Sequence, residues 1–264
     1  MNNFGLIIVG DEILSGKRQD KHLVKVIELL GARGLSLSWA RYLGDDRPQL
    51  VAALRQSMAG DDVVFCCGGI GATPDDQTRQ AAAAALGVEL ALHPEAAGFI
   101  AERTAQMALE GKGSADMTLP ENRQRLKMAE FPAGAGIIPN PFNRIAGFTS
   151  GRHWFVPGFP VMAWPMIEWV LDTHYADQFH REQRGDRSML VFELAESTLT
   201  PLMEAVEHEF DGIKVYSLPS VGGVVGSEVL RRHIELGAKG RLDQVDAAFE
   251  RLLAGVQTLG GEIG

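Results

Sequence analysis

Three short stretches of this chain combine glycine with carboxylates or with further glycines: Gly10-Asp11-Glu12, Gly44-Asp45-Asp46 and Gly68-Gly69-Ile70-Gly71. Glycines let backbone approach a bound group closely, and free N–H groups near a helix start attract phosphate-like anions. Carboxylates suit a different partner, since Asp and Glu oxygens hold Mg²⁺, which commonly bridges them to phosphates. The third stretch continues as Ala72-Thr73-Pro74-Asp75-Asp76-Gln77-Thr78-Arg79. Two carboxylates beside a phosphate cradle would repel the ligand unless a divalent cation intervened. Asp11, Glu12, Asp45 and Asp76 could hold one if they converge. A plainer reading competes at each point. A GGxG run also makes a tight strand-to-helix turn, Thr73 is a good N-cap, Pro74 suits the first helical position, and both aspartates complement a helix dipole.

The elements around these loops decide whether they can meet. Apolar runs at 4–9, 35–43 and 63–67 read as strands, and each ends in one of the three loops. The spacing of Leu23, Val26, Ile27 and Leu30 predicts a helix from about Asp20 to Gly31, and Leu50, Val51, Leu54 and Met58 predict another. A third helix begins near Pro74 and runs through the alanines to Leu86. Strands alternating with helices imply right-handed crossovers and a parallel sheet, and continuous apolar strands imply cover on both faces. In such a sheet ligands bind beyond the carboxyl ends of the strands, where all three loops would gather. Residues 90–130 read as mostly helical, 137–138, 146–149 and 153–156 as short strands, and 161–175 as a closing helix. Asn140-Pro141 and Pro157-Gly158-Phe159-Pro160 mark turns.

Around 176–187 the chain turns polar and reads as a linker. Beyond it come a strand at 188–194, a helix opened by Thr200-Pro201, strands at 213–218 and 227–236, and a last helix through Val245, Phe249, Leu252 and Val256. The order βαββα is that of a ferredoxin-like module, with room for a terminal strand. Its glycine-rich loop, Gly222-Gly223-Val224-Val225-Gly226, has no helix after it and reads as a strand connection. The fold class is therefore α/β: a three-layer parallel-sheet domain over 1–176, then a small ferredoxin-like α+β domain over 188–264.

Several function classes are disfavoured. With 45% hydrophobic and 22% charged residues the chain has the balance of an ordinary globular protein. A net charge of −9 argues against a nucleic-acid partner. The start MNNFGLIIVGDE lacks the basic opening of a signal peptide, and no run of about eighteen apolar residues offers a membrane span. The only cysteines, Cys66 and Cys67, are neighbours that point to opposite faces of a strand. They suit core positions in a reducing cytosol, so a cytoplasmic protein is expected. The histidines show no HExxH spacing, and neither a G-x-S-x-G elbow nor a Walker A lysine loop is present.

At its loops the chain resembles the MoaB/MogA-type molybdopterin-binding domain, in the form found at the front of competence-damage-inducible, CinA-type proteins. The likeness rests on Gly10-Asp11-Glu12-Ile13-Leu14-Ser15-Gly16, Gly44-Asp45-Asp46, the run from Gly68 to Arg79, Asn140-Pro141 and Val156-Pro157-Gly158-Phe159-Pro160. It spans about 4–176, and the tail is similar to the small module that follows this domain in those proteins. The resemblance implies that Gly68, Gly69 and Gly71 cradle the ligand, with Gly10, Asp11, Glu12, Thr73, Thr78, Asn140, Pro157 and Gly158 around it. It makes Asp76 and Asp45 the catalytic acids and, with Glu12, the ligands of Mg²⁺ or another divalent metal. The implied ligand is a phosphate-bearing pterin or nucleotide, molybdopterin-like or ADP-ribose-like. The implied chemistry is metal-assisted attack at a diphosphate, as in a nucleotide pyrophosphatase or a molybdenum cofactor biosynthesis enzyme. A molybdopterin-binding carrier without turnover and a regulatory nucleotide-binding module are the alternatives. A homo-oligomer is implied as well. Three departures stand out: Asp11 replaces a usual threonine, Ala72 a usual proline, and Phe142-Asn143-Arg144-Ile145 a small Val-Gly-Thr-Ala type stretch. No residues remain for the nicotinamide-mononucleotide deamidase domain that CinA-type proteins append, so that activity is not expected.

Overall fold

The computed structural model describes residues 2–181, 184–225 and 228–264. The chain divides into two compact units, one ending at Phe179 and one beginning at His180.

The front unit runs β1 (Phe4–Val9), a short α1 (Asp11–Leu14), α2 (His22–Gly31), β2 (Leu37–Leu43), α3 (Arg47–Met58), β3 (Val63–Cys67) and α4 (Thr78–Leu86). It continues through β4 (Leu90–Leu92), α5 (Pro94–Leu109), α6 (Pro120–Leu126) and β5 (Glu130–Pro132) to β6 (Gly136–Ile138), β7 (Gly147–Ser150), β8 (His153–Val156) and α7 (Pro160–His174). The main sheet has the order β2-β1-β3-β8-β7-β6, and every strand but β7 runs the same way. Its centre is β1 and β3, buried at every position. At the edge, β2 alternates between half-buried and exposed.

Side chains alternate across the central strands into two cores. Leu6, Ile8, Phe65 and Cys67 pack against Val26 and Leu30 of α2 and Met166, Ile167 and Val170 of α7. Ile7, Val9, Val64 and Cys66 pack on the other face against Leu50, Leu54, Ala81, Phe131 and Phe148. Burying each such large apolar side chain contributes about 1.5–3 kcal/mol. The adjacent cysteines thus serve opposite cores, both reduced, and burial pushes both thiols up.

Two helix starts fall later in the chain than the pattern suggests. α2 begins at His22, with the Asp20 carboxylate accepting from the N–H groups of His22 and Leu23. α4 begins at Thr78, so Thr73 does not cap it and Pro74 is not its first residue. A turn forms there because the Asp76 N–H donates to the Thr73 carbonyl while the Asp76 carboxylate accepts from the Thr73 N–H and hydroxyl. Gly87, at φ 71, ends the helix in the left-handed region.

The tail unit runs β9 (Arg184–Phe192), α8 (Glu196–Glu209), β10 (Lys214–Ser220), the paired strands β11 (Gly223–Val225) and β12 (Glu228–Leu230), β13 (His233–Arg241), α9 (Leu242–Thr258) and β14 (Glu262–Ile263). Its antiparallel sheet, β10-β13-β9-β14, has the strand order of a ferredoxin-like domain, with β14 as the terminal strand and β11-β12 inserted. One face of that sheet holds a single core of Val191, Leu199, Val206, Leu236, Val245 and Leu252. Strand β9 starts within the stretch that reads as a linker. Pro201 lies inside α8 rather than at its start, because Glu196 and Ser197 already form the first turn. Gly226 and Ser227, expected in the glycine-rich connection and the strand after it, lie outside the described residues. Among the described residues no helix is long and apolar enough to cross a membrane.

Candidate functional site

Because β1, β2, β3, β6 and β8 are parallel, the segments that follow them gather at one edge of the front sheet. There the Gly10 N–H donates to the Leu43 carbonyl (3.0 Å) and the Gly68 N–H to the Val156 carbonyl (3.0 Å).

The first two loops lock reciprocally. The Asp11 N–H donates to the Asp45 carboxylate (2.9 Å), and the Asp45 N–H donates to the Asp11 carboxylate (3.2 Å). A Cβ at Gly44 would stand 2.5 Å from that Asp11 oxygen, so the glycine makes room for the lock. The Asp11 carboxylate is what closes it. Burial raises the Asp45 carboxyl, as do the charges of Asp11, Glu12 and Asp75, against the lowering effect of the Asp11 N–H.

The third loop is built from beneath. Gly68 (φ 109) and Gly69 (φ 68) are both in the left-handed region, where a Cβ would collide with the Val9 carbonyl and the Thr78 hydroxyl respectively. The Thr78 hydroxyl donates to the Gly68 carbonyl (2.9 Å) and the Thr78 N–H to the Gly69 carbonyl (2.9 Å). Buried Arg79 donates to the Gly71 carbonyl (2.6 Å) and to the carbonyls of Lys127 and Glu130. The N–H groups of Gly69, Ile70, Gly71 and Ala72 donate to no acceptor among the described residues. The loop therefore presents a run of unengaged donors ahead of α4.

A cleft of about 400 Å³ opens beside these N–H groups. Gly69, Gly71, Thr73 and Asp76 form one wall, Pro157 and Gly158 another, and Ile70, Met128, Ile145 and Met162 an apolar floor. A second cleft, about 280 Å³, shares Gly158 and Phe159 with it and is lined by Glu12, Arg18, Asp20, Lys21 and His22. A Cβ at Gly158 would lie 3.4 Å from Gly68 Cα, so the Pro157-Gly158 turn closes directly on the glycine loop.

Not every residue read as a ligand contact reaches the clefts. Thr78 is 1% exposed and its hydroxyl is engaged by Gly68, so it shapes the cradle. Asn140 is 4% exposed and all its amide atoms are bonded, to Phe142, Asn143 and Ile145. It positions Asn143 and Ile145, which do line the main cleft. Arg144 turns away, paired with Glu102 at 2.7 Å and stacked over Phe99, so its charge stays out of the site. The acids divide as well. Asp45 stands among Asp11, Glu12 and Asp75, whereas Asp76 is held by Thr73 at 2.5 and 2.9 Å. Among the described residues no three His, Cys, Asp or Glu side chains form a group that could hold a metal ion. These acids form no ready-made metal site, and a divalent cation there would have to take most of its ligands from phosphate oxygens and water. Sequence reasoning missed Arg79, Asn143 and His22; only Arg79, closing the Gly68–Arg79 run, stood within a motif.

A cavity of about 510 Å³ lies in the tail unit. Its Arg231 is paired with Glu193 (2.9 Å) and Glu262 (2.8 Å). The chemistry gathers instead at the front unit's sheet edge.

A parallel sheet with a glycine cradle, flanking acids and a Pro-Gly turn on its carboxyl edge defines an α/β ligand-binding domain. A family model described as "Probable molybdopterin binding domain" matches residues 5–175, and the chain belongs to that family. A CinA-like protein of Syntrophotalea carbinolica is 30% identical over 223 residues, covering 79% of this chain and 51% of that one. A protein of Pyrobaculum calidifontis is 28% identical over 255 residues, covering 94% and 93% of the two chains. The crystal structure of CinA from Thermoplasma acidophilum, described as of unknown function, is similar with a TM-score of 0.54 at 25% identity, covering 65% of this chain and 98% of that one. The chain spans about half the length of the CinA-like relatives it matches first.

Proposed function

We propose that the front unit binds a phosphate-bearing pterin or nucleotide, molybdopterin-like or ADP-ribose-like, and acts at its diphosphate. One observation carries this reading: the consecutive N–H groups of Gly69, Ile70, Gly71 and Ala72, without acceptors among the described residues, beside an apolar-floored cleft. Such a run of donors binds a phosphate, and the floor accepts a flat ring. Asp45 lines neither cleft, so its carboxyl, raised and accepting from the Asp11 N–H, would act on the ligand through a bound metal or water rather than by direct contact. Asp76, at the cleft wall, would engage the phosphoryl group through a bound divalent cation. Mg²⁺ or another divalent ion, held by Asp45, Glu12 or Asp76, would supply neutralisation of the phosphoryl charge. On this reading the protein is a nucleotide pyrophosphatase or a molybdenum cofactor biosynthesis enzyme.

The engagement of Asp76 by Thr73 favours a second reading, a molybdopterin-binding carrier without turnover. Either way the protein is read as a cytoplasmic homo-oligomer. Reduced, buried Cys66 and Cys67 support the first term, and exposed Val24 (72%), Phe142 (60%) and Val161 (52%) support the second, which light scattering tests.

Thermal shift with a panel of phosphate-bearing pterins and dinucleotides, with and without Mg²⁺, tests the function. At least one ligand should raise the melting temperature of the protein, and Gly71→Val, which places a side chain against Asp76, should abolish the rise. A flat response to the whole panel overturns the reading. Release of a monophosphate product separates the enzyme from the carrier.

A further inference from the structure

We propose that the cleft lined by Arg18, Lys21 and His22 is a second anion subsite, taking a second phosphate of a ligand whose first sits in the Gly69–Ala72 cradle. The inference rests on the binding reading above and narrows the ligand to compounds carrying more than one phosphate group.

Three observations lead there. The two clefts share Gly158 and Phe159, so one extended ligand can occupy both. Arg18 and Lys21, exposed in a chain of net charge −9, make no side-chain hydrogen bond or ion pair among the described residues. His22 is 4% exposed, its Nε2 lies 3.0 Å from the Gly158 carbonyl, and its Nδ1 has no partner. An unsatisfied buried nitrogen is costly, and native structures keep few of them.

The two acids of this cleft equal its two cations in charge, but neither forms an ion pair with them. The Asp20 carboxylate already accepts from the N–H groups of His22 and Leu23 and from the Tyr42 hydroxyl (2.9 Å). Glu12 folds back over Gly10, with its carboxylate 2.6 Å from where a Cβ there would stand. Arg18 and Lys21 are left to meet an incoming anion, Arg18 through its planar fork and Lys21 as a point charge. The Nε2 contact makes His22 the connection between this subsite and the Pro157-Gly158 turn that walls the main cleft.

Inorganic phosphate is the probe. Added to the unmodified protein at low salt, it should shift the imidazole signals of His22, assigned with His22→Gln, in heteronuclear NMR spectra. In the double variant Arg18→Gln/Lys21→Gln, both changes at exposed positions, the half-saturating phosphate concentration for that shift should rise at least tenfold. His22 signals that stay put, or that respond equally in the double variant, overturn the subsite. Failure of the cradle reads differently. If Gly71→Val leaves phosphate binding, followed by ³¹P line broadening, at its full stoichiometry while the double variant removes it, the subsite stands and the cradle falls.

Discussion

Each unit of this protein carries a glycine-rich loop at the end of a strand, and only one of them makes a site. Gly68–Gly71 follows a strand buried on both faces, with Val9, Thr78 and Arg79 packed beneath it. Gly222, at φ 73, follows β10 at the edge of an antiparallel sheet and leads into the β11-β12 hairpin. The front loop has buried donors fixing its carbonyls, and a helix behind it. Around the tail loop the described residues instead pair with one another in the β11-β12 hairpin. Glycine content is the same kind of signal in both places. What distinguishes them is whether the fold surrounds the loop with partners that a side chain would displace.

The largest expected effect tests that contrast. Gly68→Ala adds a collision with the Val9 carbonyl to an unfavourable φ and should lower stability by roughly 3 kcal/mol or more. Gly222→Ala meets a left-handed backbone and should cost about 1 kcal/mol. Urea unfolding of both variants measures the difference, and equal losses would remove the contrast.

Acid should weaken the front unit next. His153, buried and 2.8 Å from the Ser57 hydroxyl, is pushed down to about 4 by desolvation, against the opposing pull of Asp62. Between pH 6.5 and 4 the unfolded chain binds the extra proton, so stability is full above 6.5 and declines as pH falls toward 4, by about 3 kcal/mol at most. All four tryptophans precede residue 180, so their fluorescence reports this unit alone. His153→Gln should flatten that slope, and an unchanged slope would assign it to other groups.

A smaller effect belongs to Asp76→Asn. The amide oxygen can still accept from Thr73, so melting should barely move. Ligand affinity with metal, or turnover, should fall about tenfold or more, since one transition-state contact is often worth about 3 kcal/mol. Earlier melting with full activity would make the acid a structural clasp. Least of all, Asp11→Thr opens one side of the lock with Asp45 and should cost about 0.5–1.5 kcal/mol, read from the same unfolding curves.

The sequence made some of this legible and not the rest. Continuous apolar runs marked β1 and β3 because both faces of those strands are covered, and the ferredoxin-like order was visible in the spacing of the tail. Helix starts were misplaced at Pro74 and Thr200-Pro201. At Pro74 a side-chain bond between Thr73 and Asp76 replaces the cap that the local pattern suggested. At the site the glycines and acids were readable as motif, but their division of labour was not. His22 finds its partner 136 residues away, at Gly158, and Arg79 reaches Glu130. Such contacts leave no local periodicity to read.

The buried donors under the glycine loop have a stereochemical consequence. A trans peptide points its carbonyl and the following N–H in opposite directions. Thr78 turns the Gly68 and Gly69 carbonyls inward, and Arg79 does the same to Gly71. The N–H groups of Gly69, Ile70 and Ala72 must then face outward. The polarity of this surface is dictated from below, by the Thr78 hydroxyl and backbone N–H and the Arg79 guanidinium, on residues 1% and 2% exposed. A substitution at Thr78 or Arg79 would free the Gly68 or Gly71 carbonyl to turn outward and present oxygen to a ligand the side chain never touches, while the backbone bond to Gly69 would remain.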